Sequence, residues 1–222
     1  MSMLFTWALA AAATLAPQRT HDRLATAITS RVEAEAPLFK GDDDRKRTTA
    51  LLVAMAFRES SLREDAVGDH VAGRPTSFCA FQIHLPFGAK SAEGWTGEEL
   101  ASDPSKCVAT AMRLLRASMR ACPKHPLAWY AAGPSGCESE RAQRISRDRL
   151  ALAQRLLRDV KEPSEGSGAE TPAGAKPPVS DESRKTTMRI GPAVPGPRRF
   201  APEAQRFVSD HTPSSAPAAF PS

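Results

Sequence analysis

Four stretches of this chain repeat apolar residues every three or four positions, and that period confines its body to packed helices. Leu24, Ile28 and Val32 share one face, and Leu52, Met55 and Ala56 share a second, whose row is continued by Glu59. Val108, Met112, Leu115 and Met119 form a third stripe with Cys122 at its end; Ile145, Leu152, Leu156 and Val160 point inward from a fourth. Thr96-Gly97-Glu98-Glu99 has the spacing of a capping box, and Asp103-Pro104 is a good N-cap followed by proline at the first helical position. A short helix around Leu127 to Ala132 is stopped by Gly133-Pro134. Between residues 62 and 95, Gly68, Gly73, Pro75, Pro86, Gly88 and Gly94 interrupt every periodic run, so this part reads as loop with a short hairpin. The expected fold is mainly α.

Proline marks where that body ends. Of 19 prolines, 11 lie from Pro163 onward. Residues 161–222 are also rich in Ser, Gly and Ala, a composition that buries too little apolar surface to offset its chain entropy. They are expected to be a disordered tail, with an apolar patch from Phe200 to Val208 available to a protein partner. At the other end, the alanine-rich apolar run from Leu4 to Ala16 has the length of an export signal and is too short to span a membrane. No Lys or Arg precedes Arg19, so the usual basic start is reduced to the terminal amine. The division expected is a signal over residues 1–19, a helical domain over 20–160 and the tail, with no stable membrane insertion once the signal is removed.

The four cysteines, Cys79, Cys107, Cys122 and Cys137, all fall in the body. An even number there suits two disulfides and an exported, periplasmic or extracellular protein. None of their gaps has the close spacing of a zinc knuckle, so no metal is expected. The net charge of +5 is too small to single out a partner. Arg113, Arg116 and Arg120 read as a solvated helix face, not a nucleic-acid stripe. There is no phosphate loop or dinucleotide fingerprint, and no cofactor is expected.

Glu59 is the residue to explain. It continues an apolar row, so its carboxyl should point toward the core. A carboxylate there is costly unless it is paired or protonated, and desolvation favours the protonated form. A glutamate that keeps its proton near neutral pH is a general acid. Pairing with a buried arginine is the competing account of the same residue.

The flanking sequence adds a resemblance. Arg58-Glu59-Ser60-Ser61, then Cys79-Ala80-Phe81-Gln82-Ile83, then Ala128-Trp129-Tyr130-Ala131-Ala132-Gly133 resembles, in order and approximate spacing, the soluble lytic transglycosylases, relatives of goose-type lysozyme. The similarity covers about residues 45–160 and implies a lysozyme-like helical domain with an active-site loop region. It implies Glu59 as the catalytic acid, Ser60 as a serine orienting substrate or acid, Gln82 as a lining of the sugar cleft, and Tyr130 as a hydroxyl near the glutamate. Two departures stand out: Cys79 occupies the place of a motif glycine, and Ala131 that of an asparagine. A Cys79–Cys107 disulfide would anchor the Gln82 loop to the long helix, and Cys122–Cys137 would close a loop around the Tyr130 helix.

The implied substrate is the glycan strand of peptidoglycan, and the implied reaction uses one carboxylate. Glu59 protonates the oxygen between N-acetylmuramic acid and N-acetylglucosamine, then removes a proton from the sugar's 6-hydroxyl as a 1,6-anhydro ring closes. A water-using lysozyme would need a second carboxylate, for which Asp65 and Asp69 are the candidates. A third reading is a cell-wall-binding or phage structural protein without turnover, which the loss of asparagine at Ala131 favours.

Overall fold

The computed structural model describes residues 2–161. The segment beyond them, expected to be a disordered tail with its Phe200–Val208 patch, lies outside the described residues. Among the described residues the chain is mainly helical, with one small sheet. In order it forms α1 (Met3–Leu15), α2 (Asp22–Ala34), α3 (Asp44–Ser60), β1 (Val67–Val71), β2 (Arg74–Phe78), β3 (Ile83–His84), α4 (Gly97–Ser102), α5 (Pro104–Ala121), α6 (Ala128–Ala132), a 3-10 turn (Gly133–Cys137) and α7 (Glu140–Asp159).

The body is organised around α3. Every residue from Thr48 to Ala56 is buried, and a helix enclosed on all sides occupies the centre of its domain. Its neighbours are α1, α2 and α7. The stripes on α2 and α5 fall where their period places them. Leu24, Ile28 and Val32 face the core, as do Val108, Met112 and Leu115, while Met119 is partly covered. On α7, Leu152, Leu156 and Val160 are buried; Ile145 is only partly so, and the deeper positions of that turn are Ala142, Ser146 and Arg149. Both cap signals hold: Thr96 and Glu99 form the reciprocal capping box of α4, and the Asp103 carboxylate accepts from the first amides of α5.

Residues 62–95 carry the hairpin and one strand more. β1, β2 and β3 form an antiparallel sheet in that order, with Gly68 opposite Ser77 and Ser77 opposite His84. This sheet presents the loop residues of the region below.

One expectation is corrected. The α5 arginines are not simply a solvated face: Arg113 pairs with Glu93 at 2.6 Å and Arg116 with Glu35 at 2.6 Å, tying α5 to the 91–95 loop and to the end of α2. The apolar run near the N-terminus, read above as an export signal, forms α1 and packs on α2 and α3. Trp7, Ala8, Ala11 and Ala12 are buried, and the Trp7 indole donates to the Val160 carbonyl at 3.0 Å. The folded body thus takes in α1 together with residues 20–160. Among the described residues no helix is long and apolar enough to cross a membrane.

The cysteines pair as Cys79–Cys107 and Cys122–Cys137. Cys79 has φ 61°, in the left-handed region that costs a side chain about 1–2 kcal/mol and glycine little. The backbone at this position therefore keeps the conformation of a glycine turn, and the bond to Cys107 on α5 holds it there. A double variant, Cys79→Gly with Cys107→Ala, is expected to be about 1 kcal/mol more stable than Cys79→Ala with Cys107→Ala. Both should fall below the wild type by about 3 kcal/mol or less for the lost cross-link. Urea melts of the three proteins give both differences.

Candidate active site

Glu59 lies on the last turn of α3, one residue from a sharp exit. Ser61 and Leu62 both take left-handed backbone, with φ 55° and 62°. This ends the helix and turns the chain toward β1. Ser60 is buried in the same turn, where its hydroxyl donates to the Ala56 carbonyl at 3.0 Å and accepts from the Arg63 amide at 3.1 Å. Its hydroxyl is thus engaged with the backbone that ends α3. It supports the position of Glu59 by fixing that turn and does not join the groups around the carboxyl.

Three other elements bring charged or polar groups to Glu59. From α7, the Arg149 guanidinium forms an ion pair through Nη2 with Oε1 of Glu59. From β1, the charge of Asp69 acts on Glu59; from α6, Tyr130 feels the charges of both Glu59 and Arg149. The Glu59 side chain is 15 % exposed and that of Arg149 10 %. The carboxyl is therefore sheltered and still reachable. Burial raises it above the ordinary glutamate range of 4.5; Arg149 pulls it down by a smaller amount, and Asp69 pushes it up.

Tyr130, near enough to Glu59 to feel its charge, is bonded to the Gln82 loop. Its hydroxyl donates to the Phe81 carbonyl at 2.6 Å. The residue as a whole is only partly covered, but the hydroxyl end is enclosed, and that burial, with the neighbouring Glu59 charge, pushes its pKa far up. Tyr130 stays a neutral donor at any working pH. Gln82 also has left-handed backbone, φ 46°, and its side-chain amide donates to the Cys79 carbonyl at 3.1 Å. The amide oxygen packs against Gly68 of β1, only 2.5 Å from where a Cβ would stand. Gln82 thus lies beside the strand that carries Asp69.

Asp69 (φ 47°) accepts from the Ser77 hydroxyl at 2.6 Å through Oδ2, and its carbonyl accepts from the Thr76 hydroxyl. These bonds fix an exposed carboxylate on the sheet. Asp65 is exposed in the preceding turn, and no interaction ties it to Glu59. Ser61, Leu62, Asp69, Cys79 and Gln82, on the exit of α3 and in the sheet region that follows it, are five non-glycine residues in left-handed backbone. Such conformations concentrate where geometry serves function.

Trp95 is partly buried against the main core with Lys106 over its ring, and Trp129 packs on the cluster around Cys122 and Ala128. Two concavities elsewhere, one between α1 and the start of α3 and one between α2 and the start of α5, are lined by neither Glu59 nor Gln82 nor Tyr130.

The structure brings Glu59, Gln82 and Tyr130 into one region as the sequence motifs imply, and adds Asp69 there. Arg149 was not identified from the sequence. The signal for it was of the same kind that singled out Glu59: with Leu152 and Leu156 it lies on the inward row of α7. An arginine on an apolar stripe calls for a buried acid to meet it. An ion pair between α3 and α7 is also what a purely structural glutamate would form. What sets Glu59 apart is that burial outweighs Arg149, and that the carboxyl also feels the charge of Asp69 and acts on Tyr130. No family model, curated protein or solved structure matches the chain.

Proposed function

We propose that this domain is a lytic transglycosylase that cleaves the glycan strands of peptidoglycan, with Glu59 as acid and then base. The observation that carries the reading is a sheltered carboxyl whose proton is favoured by burial and whose charge reaches Tyr130, itself bonded to the Phe81 carbonyl of the Gln82 loop. Glu59 gives its proton to the oxygen joining N-acetylmuramic acid to the next sugar, and the C1–O4 bond breaks. The developing positive charge at C1 is met by the sugar's own O6. Glu59, now a carboxylate, takes the O6 proton as the C1–O6 bond closes. Protons balance, and no water or cofactor is consumed. Gln82 supplies an amide for sugar hydroxyls, and Tyr130 holds the loop at a fixed distance from the acid. The two disulfides fit an exported protein that works outside the reducing interior.

Asp69 supports a second reading. It is a carboxylate fixed by Ser77 whose charge reaches Glu59, and a water-using lysozyme needs such a second group to activate water. Mass spectrometry of fragments released from purified peptidoglycan separates the two. Anhydro ends, with Asp69→Asn active within a few fold of wild type, are the expected result. Reducing ends, with Asp69→Asn depressed by about a hundredfold or more, would transfer the assignment to the hydrolase. Release of no fragments by the wild type would remove both.

A further inference from the structure

We propose that Arg149 is the positioning residue of this site: its guanidinium fixes one oxygen of Glu59, turns the other toward the scissile bond, and takes up the negative charge left when the proton departs. The proposal rests on Glu59 being the acid described above.

The geometry is specific to a working pair. Arg149 is nine-tenths buried as a side chain and reaches Oε1 of Glu59 through Nη2, while its Nη1 is buried without any hydrogen-bond acceptor among the described residues. A bridge that served only to hold α3 to α7 would gain nothing from an orphaned donor, since apolar residues of similar volume hold buried faces together as well or better. The two helices also have another bridge one residue away, where Arg58 donates to Asp148 at 2.9 Å on the exposed side. Arg58 and Asp148 thus supply the surface tie, and Glu59 and Arg149 face inward on the same two turns.

An acid that must next act as a base needs its ionised form to be reachable. The groups facing Glu59 are Arg149 from α7, Asp69 from β1 and Tyr130 from α6; on its own helix, Arg58 is turned to Asp148. Of these only Arg149 favours the carboxylate. Burial and Asp69 both oppose it. Arg149 is therefore the group that keeps the second half of the cycle, proton removal from O6, within reach. It also fixes the rotation of the carboxyl, since a guanidinium holds its donors in one plane and lysine does not.

The test compares Arg149→Met, Arg149→Lys and, as a control, Arg58→Met with the wild type, each checked for folding by circular dichroism. Release of fragments from purified peptidoglycan is followed against pH, and the Glu59 carboxyl is titrated by carbon-13 NMR. In Arg149→Met the Glu59 titration and the alkaline limb of the activity profile both move to higher pH, and kcat falls about tenfold or more with little change in KM. Arg149→Lys keeps the limb near its wild-type place but loses kcat; Arg58→Met moves neither. A folded Arg149→Met with unchanged limb and kcat would overturn the proposal. If Arg149→Met does not fold, Arg149→Lys decides, and wild-type kcat there overturns it. A wild type that releases no fragments, with the NMR shift still present, removes the proposed function and with it the positioning role, leaving a structural ion pair.

Discussion

Glutamine at position 59 is expected to lower fragment release about a thousandfold, the middle of the range that a positioned general acid contributes, while leaving the fold in place. Glutamine has the shape of the protonated acid and still turns an amide oxygen toward Arg149, so the site keeps its packing. What it loses is the transferable proton. The stability of this variant carries a second, independent prediction, because the folded protein raises Glu59 above its ordinary 4.5. Between 4.5 and that higher value the folded state binds more protons than the unfolded chain, so the contribution of Glu59 to stability is fully present below 4.5 and lost as pH rises through the folded value. Glu59→Gln removes this dependence. The difference between variant and wild type should therefore move in favour of the variant as pH rises through the window, read from urea melts at several pH values. The opposite slope would mean that attraction to Arg149 outweighs burial, and Glu59 would then be a helix-to-helix tie and not an acid.

That Glu59 stood out in the sequence and its partner Arg149 did not follows from what periodicity encodes. A charged residue on an apolar row announces that something must satisfy it. It does not say what, because the partner is set by how two helices pack. Glu59 and Arg149 lie 90 positions apart, each on an inward row, and only the packing of α7 on α3 brings them together. Gln82 and Tyr130 were implied by motif order, and the Tyr130–Phe81 bond now gives that order a physical link. Ser60 shows the opposite outcome. A serine beside a catalytic glutamate invites a role at the carboxyl, whereas a hydroxyl in the last turn of a helix is close to carbonyls four residues back, and that local bond wins here. The left-handed backbone at Asp69 gave no signal, since the residue is not glycine. At Cys79 the place of a motif glycine, implied by the resemblance together with a bond to Cys107, carries left-handed backbone and that bond.

Trp7→Ala is expected to destabilise the folded body by about 3–5 kcal/mol, the range for removing a large aromatic side chain from a core. The side chain is 1 % exposed, between α1 and α3, with Lys46 above its ring. Its indole also closes the other end of the domain, since the Val160 carbonyl at the end of α7 is one of the acceptors a helix leaves without an intrahelical donor. Trp7→Phe separates the two contributions. It keeps most of the apolar contact, forfeits the hydrogen bond, and should cost about 1 kcal/mol from the bond, with a smaller packing loss. Equal and small losses in both variants, measured by urea melts with an unchanged slope, would show that α1 is not an integral layer of the core. The low charge and small apolar residues of α1 are the composition of a leader. The same composition suits a helix pressed close to others: Ala8, Ala11 and Ala12 are buried beside Trp7, and alanine lets the backbones approach. A chain begun at residue 20 should accordingly lose more than Trp7→Ala does, because it uncovers the faces of α2 and α3 that α1 shields and frees the end of α7, the helix that carries Arg149.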